Sequence, residues 1–235
     1  DFVPGQRYPF QQLLKDIFNP IGELKLRRSN RQDLTNLHDG SIHQARADID
    51  TAIRSGLQPP SKDFPSLNVF QRDSSRITAD YYASHPGVEA FCQEHAELVF
   101  NGLASKGLSE KALIVKISDR SNPNISHVFV LYADAPAAEA PALLKPFVES
   151  RKTAPFTYSP PGMDLDTFSS YLADNGRKLR LIDGWGTEKL LDFPAGNPPA
   201  QVKSRLYSMI REGLGLDIGV ALENKRFYIE AKSYP

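Results

Sequence analysis

The order of hydrophobic patterns along the chain limits its fold more than any other feature of the sequence. Helical spacing comes first, as in residues 40–56, where apolar residues recur at three- and four-residue steps. Apolar runs typical of strands follow in KALIVKIS (111–118), SHVFVLY (126–132) and KLRLID (178–183). Helices followed mostly by strands predict an α+β fold with a mainly antiparallel sheet, rather than alternating βαβ units.

The remaining elements and a Pro-rich stretch indicate how the chain is organised. Further helices are predicted over residues 11–18 (ended by Pro20), 88–106, 136–150, 164–174 and 201–214, and a closing hairpin over 217–222 and 226–231. Residues 58–65 contain Pro59, Pro60 and Pro65 and favour a linker or bracing loop. We therefore predict an N-terminal helical extension, for targeting or partner binding, over residues 1–80 and a second domain over 81–235.

Composition excludes several classes of protein. The 235 residues carry 28 Lys and Arg against 28 Asp and Glu, and a neutral chain is not expected to bind nucleic acid by neutralising phosphates. No apolar run approaches the roughly 20 residues that span a bilayer, so no transmembrane segment is expected. No signal peptide is visible at the start, and the nucleotide-binding and zinc-peptidase motifs are absent.

The chain has one cysteine, Cys92, which excludes an intrachain disulfide and a multi-cysteine zinc site. We expect no cofactor and no metal. A lone cysteine on an apolar helical face is commonly packed in the core. Cys92 also follows the Pro86-Gly87 turn, in the first or second turn of the predicted helix, where the helix dipole favours a thiolate.

Two further residues fit a cysteine nucleophile. His127 opens an apolar strand and is the candidate general base, with Asp183 at the end of another strand as the group that orients it. We expect Asp183 to accept the Nδ1 hydrogen of the imidazole, while Trp185 shields the pair from water. His95 is a competing base and Asp134 a competing orienting group.

The chain order Cys, His, Asp, on a helix and two strands, resembles the papain-like cysteine protease superfamily. The resemblance is carried by FCQEHAELVFNGL (91–103), SHVFVLYAD (126–134) and RLIDGWG (180–186), which are similar to its bacterial toxin and effector branch. The last segment resembles the hydrophobic-Asp-x-Trp signature of glutamine deamidases related to dermonecrotic toxins. The resemblance implies a papain-like core in residues 81–235, a Cys-bearing helix packed on the sheet.

An oxyanion donor is less obvious, because no Gln or Asn lies just upstream of the cysteine. Asn68 and Gln71 are candidates, and the Cys92 backbone amide is a third. The basic run Lys25–Arg31 is interpreted as a solvated face.

These residues predict a thiol hydrolase that acts on amide bonds of a host protein. The resemblance favours a secreted bacterial effector, a glutamine deamidase at work in the host cytosol. A cysteine protease with the same three residues is the first alternative. The second is a non-enzymatic protein-binding domain in which Cys92 belongs to the core.

Overall fold

Seven α-helices and eight β-strands form the part of the chain that the computed structural model describes, residues 9–216, 222 and 225–234. The helices are α1 (Phe10–Glu23), α2 (Ser41–Gly56), α3 (Phe64–Ser84), α4 (Cys92–Ser105), α5 (Ala140–Leu144), α6 (Leu165–Asp174) and α7 (Pro199–Leu214). The strands are β1 (Ala112–Asp119), β2 (Asn122–Ala133), β3 (Arg151–Ala154), β4 (Thr157–Ser159), β5 (Met163–Asp164), β6 (Leu179–Ile182), β7 (Leu190–Asp192) and β8 (Phe227–Ala231).

Six of the strands form one antiparallel sheet in the order β5-β8-β1-β2-β6-β7. The strands β3 and β4 form a separate hairpin. The long pair β1 and β2 lies at the centre, which the apolar runs of both segments favour because central strands are covered on both faces. The predicted α+β class with an antiparallel sheet is confirmed.

The alternation of side chains along β1 and β2 divides the core into two layers. Ile114 and Val130 pack with α1 and α4 on one face of the sheet. Phe129 and Leu131 pack with α6 and α7 on the other face. His127 has the same parity along β2 as Phe129, so its side chain lies on the α7 face.

Local predictions held for most elements and were wrong at two prolines. Pro20 does not end α1, which continues to Glu23. Pro65 lies in the first turn of α3, where a residue needs no N–H donor, and Asp63 caps this helix by accepting from the Ser66 amide. Helix α3 was not predicted from the sequence. The predicted helix 136–150 is reduced to α5 and a short 3₁₀ turn.

The regions on either side of residue 80 share one helix and one core. Residue 80 lies inside α3, and Phe64 and Leu67 of this helix belong to the same apolar cluster as β1. Most of the predicted strand 217–222 lies outside the described residues, and β8 pairs with β1 and β5. Within the described ranges, no helix has the length and apolar character required to cross a membrane.

Candidate functional site

Cys92 is the first residue of α4, which follows the extended residue Phe91. The predicted helix began at residue 88, and the later start places the thiol directly at the positive end of the helix dipole. The side chain of Glu94 closes this end by accepting a hydrogen bond of 3.0 Å from the Phe91 amide. Cys92 is partly exposed.

His127 is completely buried on β2. Its Nε2–H donates to Oδ2 of Asp183 across 2.7 Å. The ring also packs closely against the backbone of α7. A Cβ placed on Gly213 would come within 2.2 Å of His127 Cγ. Any side chain at position 213 would therefore displace the imidazole.

Asp183 follows β6 and is held by the turn that comes after it. Its Oδ1 accepts hydrogen bonds of 3.0 Å from the backbone amides of Trp185 and Gly186. A Cβ on Gly186 would lie 2.7 Å from Asp183 Oδ2, which explains the glycine. The carboxylate therefore has a fixed orientation, with one oxygen on the turn and the other on His127.

The predicted pairing of His127 with Asp183 is thus present, but the predicted ring nitrogen is wrong. Nε2 faces the carboxylate because the ring lies between the Asp183 turn and Gly213. Nδ1 is the atom left for the thiol. It is buried, and no nitrogen or oxygen of the described residues forms a hydrogen bond with it.

The Cys92 thiol lies within interaction distance of the imidazole. Burial alone would lower the pKa of His127, but the Asp183 carboxylate, together with the hydrogen bond and the charge of Cys92, raises it to about 10. Nδ1 forms no regular hydrogen bond with any described residue, the Cys92 thiol included. Burial raises the pKa of Asp183, and the charge of His127 outweighs this and lowers it. At neutral pH the ring is therefore an imidazolium that faces the Asp183 carboxylate.

Trp185 covers the pair, as predicted. Its ring centroid lies 5.5 Å from that of His127, and its Nε1–H donates to Asn30 Oδ1 across 2.7 Å. The Trp185 carbonyl accepts from Arg28 at 2.7 Å and from Arg31 at 3.0 Å. Arg28, Asn30 and Arg31 belong to the run Lys25–Arg31, which was interpreted as a solvated face. That interpretation is wrong, because Arg28 and Arg31 form hydrogen bonds with the turn that follows Asp183.

The same segment also holds the chain that leads into α4. The Arg27 amide donates to the Val88 carbonyl at 3.0 Å, and the Ala90 amide donates to the Arg27 carbonyl at 3.0 Å. Ser29 donates to the buried carboxylate of Glu89. Residues 27–31, which we call the strap, therefore connect the cysteine side of the site to the aspartate side.

Asn68 and Gln71 were predicted as oxyanion donors, and the structure contradicts this. Both N–H groups of the Asn68 amide donate to backbone carbonyls, those of Ser109 and Ala112. The Gln71 amide donates to the carbonyls of Ile114 and Lys232. The two side chains attach α3 to the sheet and have no hydrogen left for a substrate.

The two competing residues have other partners. His95 is buried, its Nδ1 contacts the Phe91 carbonyl at 2.9 Å, and burial lowers its pKa to about 4. A neutral imidazole bound to its own helix is a poor base for Cys92. Asp134 forms an ion pair of 2.9 Å with Arg180.

Sequence reasoning missed Gly213 and the strap. A glycine inside a helix costs stability, so Gly213 in α7 was a signal that something lies close to the helix backbone. The strap had no such signal, because Arg28 donates to Trp185, and Asn30 accepts from Trp185, across more than 150 positions of the chain.

The described residues contain no group of three or more His, Cys, Asp or Glu side chains arranged to hold a metal ion. No protein-family model, curated protein or solved structure matches the chain.

Proposed function

We propose that this protein is a thiol hydrolase in which Cys92, His127 and Asp183 act on an amide bond. The observation that carries the proposal is the buried His127 imidazole, which has Asp183 on Nε2 and interacts electrostatically with Cys92, the first residue of α4. Nucleophilic cysteine catalysis requires this combination of thiol, base and orienting group.

The first half of the reaction forms a thioester. The imidazolium of His127 favours the thiolate of Cys92, whose sulfur attacks the carbonyl carbon of the substrate amide. The developing oxyanion lies at the start of α4, where the Cys92 amide has no acceptor within the helix. As the C–N bond breaks, Nδ1–H of His127 protonates the leaving amine.

The second half restores the enzyme. A water molecule gives a proton to Nδ1 of the now neutral His127, and its oxygen attacks the thioester carbon. The C–S bond breaks, the carboxylic acid leaves, and the thiolate of Cys92 faces the imidazolium again. Asp183 stays deprotonated throughout and orients the ring through its hydrogen bond with Nε2.

We propose a glutamine side chain of a host protein as the amide, so that ammonia leaves and glutamate is formed. Support comes from the resemblance of residues 91–103, 126–134 and 180–186 to the deamidases of the toxin and effector branch. It also comes from the single cysteine and neutral charge, which suit a secreted bacterial effector acting in a reducing host cytosol.

The experiment is intact mass spectrometry of purified host proteins incubated with the chain. Deamidation adds about one dalton to an unbroken target, because NH₂ is replaced by OH. Two fragments would instead identify a protease, the reaction of the same three residues on a peptide bond.

The matched control is Cys92→Ala, which removes the nucleophile and should abolish the mass change. Alkylation of native protein by iodoacetamide is the second measurement. An activated Cys92 reacts well below pH 8, and this reactivity should be lost in His127→Ala. A cysteine that stays silent until the protein unfolds would contradict the enzyme and favour a binding domain.

A further inference from the structure

A cavity of about 580 Å³ lies next to the start of α4. Its walls come from α2, from the first two turns of α4 and from the segment that follows β8. Gln93 and Glu94, which directly follow Cys92, line the cavity, whereas Cys92 and His127 do not. The cavity therefore borders the turn of α4 that carries the nucleophile of the proposed function.

Lys232 is a buried cation of the wall with no carboxylate of the described residues within hydrogen-bond distance. Its side chain is only 11% exposed, and the closest carboxylate oxygen among the described residues is Glu97 Oε1 at 4.0 Å, beyond hydrogen-bond length. Its ammonium also lies 4.4 Å from the ring centroid of Tyr234. The position of Lys232 is fixed by its backbone, which donates to the Ile114 carbonyl at 2.9 Å.

The carboxylates of the wall are already engaged. Glu97 accepts hydrogen bonds from Thr78 and, at 3.4 Å, from Tyr234. Glu94 is paired with Arg46 at 3.0 Å. The third carboxylate, that of Asp50, is paired with Arg54 at 3.0 Å. Burial raises the pKa of Glu97 and lowers that of Lys232, so the charged form of each is disfavoured in this cluster.

Arg46 is the second cation of the wall and is about half exposed, at 48%. Its Nε and Nη2 face Glu94, which leaves Nη1 without a hydrogen-bond partner in the described part of the chain. Burial opposes the charged form of both side chains, while nearby carboxylates and the charge of Cys92 favour it. The net result is a raised pKa for Arg46 and a lowered pKa for Lys232. Both cations are therefore electrostatically coupled to the nucleophile.

The rest of the wall is mixed. Besides the ion pair of Arg54 with Asp50, it includes four large apolar side chains, those of Ile49, Ile53, Leu57 and Phe70. A ligand that fits has a carboxylate next to an apolar group. A bound carboxylate would form charge-assisted hydrogen bonds with a buried ammonium, and these are stronger than neutral ones.

We propose that this cavity binds an acidic residue of the substrate, with Lys232 and Arg46 contacting the carboxylate and an adjacent apolar side chain against Ile49 and Ile53. The proposal rests on the proposed function and names its substrate class. The target is a segment in which an Asp or Glu, next to an apolar residue, lies close to the amide that Cys92 attacks.

The test begins with a binding measurement that does not need Cys92 to react. Two probes, acetyl-Asp-Leu methylamide and acetyl-Ala-Leu methylamide, differ in the carboxylate alone. They are titrated into the full chain while the methyl resonances of Ile49 and Ile53 are followed by NMR. We expect the acidic probe to bind at least about fivefold more tightly, because the neutral probe leaves the buried ammonium unpaired.

Two variants locate the site. Lys232→Met keeps most of the side-chain volume and should remove most of the preference for the acidic probe. Arg46→Gln, at the partly exposed rim, should reduce the preference and provides a second test if Lys232→Met does not fold. Lys15→Met removes an exposed cation from α1 and should leave the preference unchanged. Equal binding of the two probes, or a preference that survives both cavity variants, would overturn the anion site.

Protection of Cys92 connects the cavity to the reaction. The acidic probe should slow alkylation of Cys92 by iodoacetamide over the same concentration range in which it shifts the isoleucine methyl resonances. Binding without protection would overturn the role in substrate recognition. If Cys92 does not react in the folded protein, the proposed function fails, and the titration still decides whether the cavity binds carboxylates.

Discussion

The two buried histidines near the start of α4 have opposite electrostatic surroundings. His127 faces the Asp183 carboxylate, which more than compensates for burial and raises its pKa to about 10. The Nδ1 atom of His95 contacts the backbone carbonyl of Phe91, and burial lowers the pKa of His95 to about 4. Burial alone thus keeps one imidazole neutral, and a fixed carboxylate keeps the other protonated, as the proposed function requires of a partner for Cys92.

The largest expected effect is this difference in titration. In ¹⁵N NMR spectra, the His127 ring should stay protonated until the pH approaches about 10. The His95 ring should stay neutral until the pH falls to about 4. Two rings that both titrate near the ordinary value would contradict the comparison.

Unfolding at different pH values gives the same comparison a second readout. The folded pKa of His127 is raised above the ordinary histidine value of about 6.5, so its stabilising contribution is complete below that pH and is lost as the pH rises through about 10. The folded pKa of His95 is lowered, so its contribution is present above 6.5 and is lost as the pH falls through about 4.

The next effect concerns the carboxylate. Asp183→Asn keeps the shape of the side chain but removes the charge, and burial then favours the neutral His127 ring. Alkylation of Cys92 by iodoacetamide at pH 6 should slow by about 100-fold, because the imidazolium that favours the thiolate is lost. The matched control, His95→Asn, should keep the reactivity of Cys92 within about threefold. Slow alkylation of Cys92 in His95→Asn, together with a normal rate in Asp183→Asn, would show that His95 rather than His127 activates the thiol.

A smaller effect is expected at Gly213, the residue of α7 that packs against the His127 ring. Gly213→Ala places a methyl group where His127 Cγ lies 2.2 Å away, so either the ring or α7 must move. Cys92 alkylation should slow by about tenfold, with a loss of about 1–3 kcal/mol in the free energy of unfolding measured in urea. Gly102→Ala in α4 is a control with a looser contact, 3.2 Å from Ile17. Equal rates in the two variants would show that Gly213 does not position the ring.

The smallest effect concerns the strap. Asn30→Ala removes the acceptor of Trp185 Nε1–H and should cost about 1 kcal/mol in the free energy of unfolding. The pH at which Cys92 becomes reactive should rise slightly, since the Asp183 turn loses one support. Asn30→Asp, which keeps an acceptor oxygen, should restore the wild-type pH profile. A profile unchanged by Asn30→Ala would mean that the strap stabilises the fold without positioning the site.

Much of the candidate site could be predicted from the sequence because its residues lie on elements with strong local patterns. The apolar alternation of β2 fixes the face on which His127 lies, and β6 formed close to its predicted bounds, with Asp183 directly after it. The predicted start of β2 was wrong, because the strand begins at Asn122 and His127 lies inside it rather than opening it. The start of α4 was placed four residues too early, and its true position moved Cys92 to the first helical residue. Asn68 and Gln71 have the side chains of oxyanion donors, and only their contacts with the sheet exclude that role.

The sequence by itself determined the α+β class, most helices and strands, and the chain order of Cys92, His127 and Asp183. These features depend on spacing of two to four residues, which is visible along the chain. Tertiary structure decided which ring nitrogen faces Asp183, that residues 27–31 support the site, and that Lys232 lies in a cavity beside Cys92. Those features depend on contacts between residues far apart in the chain and on how tightly helices pack on the sheet, and a local pattern contains neither.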